Sequence, residues 1–375
     1  MSNTRIEDIV RLRDEEGKGW IEIGEVLEMR SELARSQYRH HKKKLDLADS
    51  PGILEAAENL GLLDTMKLKG GWLKSKEASL RFETPNAPDD EDALDGYVER
   101  LKSALSALPK SSPTLTPDSP ESVRARYIIA DLHGGMAANI AVSGGDFDLD
   151  VMGDRLLEAT QRLIQQTAPT HTAIVANLGD VFHANDSKKM TYHSGHILDM
   201  VTQSFPEIAL RVTMAVITMI EMLLTRHAKV IYRGVPGNHD VDQFFWLTIA
   251  IMMRYSDDPR VEVELTQSKL IVDEFGRNMN AYHHGDRATF QRLVNQISDQ
   301  YAEAWGRTYW RYLDTGHIHH DSNKDIGGMF CESHRNLAPT DAAAHGFGYW
   351  GRQTAKSIVV HEDRGEIDRH IASFN

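Results

Sequence analysis

Five short stretches of this 375-residue chain could do metal chemistry: Asp131-Leu-His133, Gly179-Asp180, Gly237-Asn238-His239-Asp240, Tyr282-His283-His284-Gly285 and Gly316-His317-Ile-His319. Each closes an apolar run. Carboxylates, imidazoles and one amide oxygen form a borderline N/O donor set suited to manganese, iron, zinc or nickel, with no thiolate to select softer ions. Turning at the end of a run needs only glycine or asparagine, which tolerate the left-handed backbone. His239 and Asp240 are surplus to turning. Singly, each group has a plain explanation: Gly-Asp is usually a turn, and a lone buried histidine is usually a satisfied core residue. His317 and His319 are different, because side chains two apart share a face of an extended segment. His283 and His284 are adjacent and point to opposite faces, so only one can join the set. Five such groups, in order and each after an apolar run, outweigh the plain explanations.

The elements that must position these groups alternate between strand and helix. Runs at 126–130, 172–178 and 228–233 read as buried strands, and 156–167, 208–226 and 290–301 as helices between them. That alternation marks a layered α/β fold. The most apolar stretch, 208–224, is interrupted by Arg211 and Glu221, so it reads as a buried helix and not a membrane span.

Upstream the texture changes. Residues 110–120 carry three prolines and no apolar period, which marks a linker and puts a domain boundary near residue 122. Before it, Ile6, Ile9, Val10 and Leu12 form one helical stripe, and Ile21, Ile23, Val26 and Leu27 a second. Ser31 can cap a third helix lined by Arg35, Gln37, Arg39, His40, Lys42 and Lys43. Such a triplet resembles a helix-turn-helix module with a DNA-reading third helix. A small helical module that docks a protein partner is the competing reading. Lys67 to Lys76 and Ser79 to Phe82 look like a basic hairpin. The expected domains are therefore a helix-turn-helix-like module (1–50), a helical and hairpin extension (51–109), a linker (110–122) and a catalytic domain (123–375).

The formal charge of -13 argues against a generally basic, nucleic-acid-coating protein. Its distribution matters more. Residues 30–45 hold six Lys/Arg against one acid, whereas 83–99 hold seven acids and no base. The single cysteine, Cys331, excludes an internal disulfide and suits a reducing compartment. The first residues lack the apolar core of a signal peptide. A cytoplasmic protein without membrane attachment is expected; its oligomeric state, homo-oligomer included, stays open.

Together the five groups resemble the calcineurin-like metallophosphoesterases, whose pattern is D-x-H, G-D, G-N-H-D/E, H and G-H-x-H. The resemblance spans residues 124 to about 330. It implies a four-layer α/β/β/α sandwich and two divalent ions, manganese first, with iron, zinc, nickel or magnesium also compatible. It further implies that Asp131, His133, Asp180 and His319 hold one ion, and Asp180, Asn238, His284 and His317 the other. His284 is preferred to His283 because the family places glycine directly after this ligand. Two ions sharing a carboxylate generate hydroxide from water near neutral pH. His239, oriented by Asp240, would then assist the leaving oxygen as catalytic acid. His320 and Asp321 could orient an imidazole or be solvated.

The loop from His183 to Gly195 resembles that of DNA repair exonucleases and bacteriophage-borne metallophosphoesterases. The leading expectation is thus a phosphodiesterase or nuclease acting on DNA, tethered by its N-terminal module. The alternative is a small-molecule phosphatase or cyclic-nucleotide phosphodiesterase whose N-terminal module docks a partner.

Overall fold

The computed structural model describes residues 119–375 except 144, 192–194, 196, 202–203, 341–347, 349 and 375; before 119 it describes 8–16, 18, 22, 23, 26, 27, 29, 38, 70–74, 79–83, 103 and 111. Two compact units divide the chain, Met1–Leu94 and Asp95–Asn375. In the first, a π-helical turn, Arg11–Glu15, carries Leu12 beside Ile9 and Ile23 in a small core. Leu27, Met29 and Tyr38 pack against it. Val26 does not: it is 54% exposed, contrary to its expected place in the second stripe. Strands β1 (Gly70–Lys74) and β2 (Ser79–Glu83) pair antiparallel, with Trp72 opposite Arg81. Arg35, Gln37, Arg39, His40, Lys42 and Lys43 lie outside the described residues.

The second unit is built on two sheets. Strands β3 (Val123–Ile129), β4 (Thr172–Asn177), β5 (Lys229–Gly234) and β6 (Val261–Val263) run parallel in the larger one. Its other edge is the antiparallel pair β12 (Gln353–His361) and β13 (Gly365–Phe374), with β12 against β3. The smaller sheet has the order β10 (Ser322–Ile326), β11 (Met329–Ser333), β9 (Trp310–Thr315), β8 (Asn278–His283), β7 (Leu270–Phe275). Within it β8, β9 and β11 are parallel.

Strand periodicity explains the layers. Along β3, Ala125, Tyr127 and Ile129 face one core while Ile128 faces another. The first core packs the larger sheet against helices α2 (Leu149–Gln166), α3 (Phe205–Leu224) and α4 (Gln243–Arg254), which follow the short α1 (Ile140–Ser143). The second core lies between the sheets, where Ile128, Ala176 and Ile358 meet Ile271, Tyr282 and Tyr312. A third packs the smaller sheet's Met279, Ala281 and Leu313 against α5 (Phe290–Gln300) and α6 (Ala302–Arg307). Strands read as near-continuous apolar runs because both faces are covered. The order of layers is helix, sheet, sheet, helix.

Helix α2 begins seven residues before the expected 156, since Asp148 caps it by accepting from Val151 N–H. Among the described residues no helix is long and apolar enough to cross a membrane. The interrupting Glu221 of α3 is buried and partnered: it accepts from Tyr255 at 3.1 Å and from Arg254 at 3.3 Å. Ser111, inside the segment read as a linker, donates its N–H and hydroxyl to the same carboxylate at 2.9 and 2.6 Å. Its carbonyl accepts from Arg260. The second unit therefore starts upstream of the expected boundary at 122.

Apolar contacts are not all that joins the sheets. Arg126 of β3, 1% exposed, pairs with buried Asp314 of β9, and Lys356 of β12 reaches Glu332 of β11 at 2.6 Å. Burial pushes the Asp314 carboxyl up, but Arg126 and His334 bring it below its ordinary value. Cutting one partner from a buried pair strands a charge, which typically costs about 3–5 kcal/mol. Arg126→Ala is expected to lose stability on that scale in urea unfolding at pH 7. A loss under about 1 kcal/mol would mean that His334 alone compensates Asp314.

Candidate metal centre

All five groups arrive at one edge of the two sheets, because they follow the C-terminal ends of β3, β4, β5, β8 and β9. Open parallel sheets bind ligands at that edge. The backbone there is unusual. Asp131 (φ 47°), His133 (50°), Asp180 (51°), His317 (71°) and His319 (55°) are all left-handed without being glycine. Each such residue costs on the order of 1–3 kcal/mol and persists only where its surroundings impose it. Here the surroundings are interlocked loops: Asp131 N–H donates to Gly179 C=O at 3.2 Å, His133 N–H to Asp180 C=O at 3.0 Å, and His317 N–H to the Asp131 carboxylate at 2.8 Å. Gly237 packs so closely on Asp180 that a Cβ would overlap its carboxylate.

The side chains gather in two groups. In the first, His133 Nε2 is 3.1 Å from His319 Nε2, and Asp131 Oδ1 is 3.4 Å from the latter. In the second, His284 Nε2 is 3.1 Å from Asp180 Oδ2 and 3.0 Å from Asn238 Oδ1, with the His317 ring centroid 5.1 Å from that of His284. Within Asp131, His133 and His319, and within Asp180, His284 and His317, the potential ligand atoms all lie within 4.8 Å of one another. Asp180 stands in the second group, but its charge also acts on His133 and His319 of the first. His284 and not His283 enters the cluster. The His283 ring turns away and accepts from Gly285 N–H at 2.8 Å.

These residues fit divalent ions on their own geometry. Nitrogen lone pairs facing each other beside carboxylates need a cation or a proton between them. The His284 Nδ1–H donates to Leu178 C=O at 2.8 Å, which aims the Nε2 lone pair into the cluster, as metal-ligating histidines do. Burial alone would lower the His284 pKa, yet Asp180 and Asp131 push it up to about 10. Burial likewise works against the Asp180 carboxyl, but His284 holds it well below its usual range. His284 is thus imidazolium at neutral pH, and an incoming ion must displace its proton. Titrating the apo protein with Mn at pH 7 is expected to release about one proton from this site, measurable in buffers of different ionisation enthalpy. Affinity should weaken about tenfold per pH unit of acidification; a pH-independent affinity between pH 6 and 8 would contradict it.

A third group borders the first: His133, His183 and His239. His183 Nδ1 is 3.1 Å from His133 Nδ1, so it supports the ring of an expected ligand. Burial pushes His183 down to about 3, leaving it neutral. Its Nε2 is buried with no hydrogen-bond partner among the described residues. The His239 ring stacks on His183 at 5.3 Å, and its Nδ1 lies 2.8 Å from His183 C=O.

Asp240 corrects an expectation. It does not orient His239. Fully buried, its carboxylate accepts from Val181 N–H at 2.7 Å, Gly237 N–H at 2.8 Å, Asp180 N–H at 3.2 Å and Phe182 N–H at 3.3 Å. It clasps the Asp180 loop to the Asn238 loop, and the His183 carbonyl holds His239 instead. Asp321 is likewise an anchor, pairing with Lys356 at 2.7 Å and Arg335 at 3.2 Å, whereas His320 is exposed. Missed in the sequence was the buried cluster of Asp314, Glu332 and His334 on β9 and the end of β11. Its members come from two strands about 20 residues apart in the chain, so no local pattern marks it.

No family model and no curated protein matches the chain. Among solved structures it is similar to a predicted phosphoesterase from Streptococcus pneumoniae, at 13% identity over 67% of this chain and 98% of that one, with a TM-score of 0.29. An archaeal phosphodiesterase is similar at 9% identity over 67% and 99%, with a TM-score of 0.33. Vps29 from Entamoeba histolytica, solved with zinc, is similar at 12% identity over 67% and 99%, with a TM-score of 0.28.

Proposed function

We propose that the chain is a phosphoester hydrolase whose centre takes two divalent ions, manganese first, and that its substrate is a phosphodiester of DNA. The observation that carries the reading is the convergence of seven N/O donors from five strand ends into two adjoining groups. Asp131, His133 and His319 would hold one ion and Asn238, His284 and His317 the other, with Asp180 shared. Bound there, two divalent ions would supply Lewis-acid stabilisation of phosphoryl oxygens and an activated water. The protein's own part is proton placement. Donation of the His239 Nδ1–H to the His183 carbonyl leaves Nε2 to hold and deliver a proton to the leaving oxygen. Asp240 keeps the loops of Asp180 and Asn238 in register for that geometry.

The deciding experiment compares bis-p-nitrophenyl phosphate with p-nitrophenyl phosphate on the Mn-loaded full-length protein. Preferential hydrolysis of the diester, abolished by chelator, is expected. Failure to hydrolyse either with two ions bound overturns the reading.

DNA is favoured by the basic residues of the N-terminal third and the polar loop after Asp180. Residues 124–375 hold 24 Lys/Arg against 31 Asp/Glu, a surface that attracts DNA poorly by itself. If Arg35, Arg39, Lys42 and Lys43 contact phosphates, log affinity falls against log salt with a slope of about -0.9 per neutralised phosphate. Removing residues 1–94 keeps the Ser111 anchor and should flatten that slope while preserving hydrolysis of the small diester. Identical mobility-shift titrations of both proteins at two salt concentrations would end the tether reading in favour of partner docking.

A further inference from the structure

A cavity of about 170 Å³ opens beside the proposed centre. Gly285, Gly316 and Ile318 in its wall are chain neighbours of His284, His317 and His319, which puts it on the same loops as the proposed centre. Its far wall is Ala288 and Phe290, where the loop after β8 enters α5. Ile318, 42% exposed, stands at the mouth.

Four of the wall's hydrogen-bonding groups are already engaged, which leaves it less to offer a polar guest. Ser333 Oγ–H donates to Gly316 C=O at 3.2 Å, and Thr315 Oγ1–H to Glu332 C=O at 3.4 Å. Gly285 N–H donates to His283 and Gly316 N–H to His284 C=O at 2.9 Å. A sugar or a charged group entering here would lose water without regaining hydrogen bonds. A flat apolar ring would lose nothing and gain the Phe290 ring and the Ile318 side chain. The size agrees: an apolar cavity of about 150 Å³ is enough for benzene.

We propose that this cavity is a subsite for an aromatic ring carried by the phosphoester, which in DNA is the base beside the scissile phosphate. The proposal rests on the phosphoesterase reading above. It makes the enzyme selective for nucleotide and aryl phosphoesters over sugar or alkyl ones. Ring placement also requires the base to leave its stack, which favours single-stranded or frayed ends.

The test is calorimetric binding of phenylphosphonate and methylphosphonate to the Mn-loaded full-length protein. Measured at a pH where both are dianions, the two present the same charge to the ions, so the ratio reports the ring. Ring stacking on protein side chains is worth about 5–150-fold, and an advantage of about tenfold for phenylphosphonate is expected. Ala288→Leu, which fills the cavity, and Phe290→Ala, which removes its wall, should each bring the ratio towards one. Two variants guard against the failure of either to fold. Equal affinities in the unaltered protein, or a ratio that neither variant changes, overturn the subsite while leaving the hydrolase reading intact. Binding of neither phosphonate to protein with its ions in place overturns both.

Discussion

Asp180→Asn is expected to strip metal from the protein and to reduce hydrolysis by about 10³-fold or more. Asparagine keeps the shape and removes the charge, together with one of the two acceptor oxygens. The Asp180 Oδ1 accepts His239 N–H at 2.7 Å while Oδ2 faces His284 Nε2 at 3.1 Å, which gives the carboxylate a fixed orientation towards the second group. Its charge also raises His319 and opposes the depression of His133, so it supports both groups at once. A shared carboxylate is the one ligand whose neutralisation weakens both ions, and their stabilisation of the phosphoryl group is worth several kcal/mol at about 1.4 kcal/mol per tenfold in rate. Metal content by elemental analysis and turnover of bis-p-nitrophenyl phosphate check it together. In the apo variant the His284 pKa should also fall from about 10, since its largest opposing charge is gone. Two tightly bound ions with normal turnover would remove Asp180 from its shared role.

The parts of this molecule legible in its sequence are those that repeat a local rule. Strand ends carrying candidate ligands could be found because apolar runs stop at glycine and a carboxylate, amide or imidazole follows, as at Leu178-Gly179-Asp180. Adjacent histidines could be told apart only in part. Extension places His283 and His284 on opposite faces, but which face meets the centre depends on the pairing of β8 with β9. Asp240 was misread for a similar reason. Sitting beside His239, it looks like that ring's partner, but its carboxylate is spent on four backbone N–H groups from loops about 60 residues apart in the chain. The inter-sheet ion pairs were equally hidden: Arg126 and Asp314 are 188 residues apart, and each alone looks like an ordinary interruption of an apolar strand. The strands β12 and β13 hold none of the five groups, so no local pattern marks them, although β12 lies against β3.

His239→Asn is expected to keep the metals and to slow hydrolysis of esters with poor leaving groups by about 10²–10⁴-fold, the usual worth of a placed general acid. Three contacts make the position specific. The Nδ1–H is committed to His183 C=O at 2.8 Å, the ring stacks on His183, and its centroid is 5.0 Å from that of His133. Held this way, Nε2 is the ring nitrogen left to serve substrate. Asparagine can preserve the contact to the His183 carbonyl but cannot carry the proton. The effect should therefore depend on the leaving group: an alkoxide needs the proton and p-nitrophenolate hardly does. Comparing a natural diester with bis-p-nitrophenyl phosphate, at constant metal content, separates the two. A role in holding the third group together would instead depress both substrates equally and lower metal occupancy, because His133 would lose its neighbour. Equal losses on the two esters would thus move His239 from proton transfer to the support of His133.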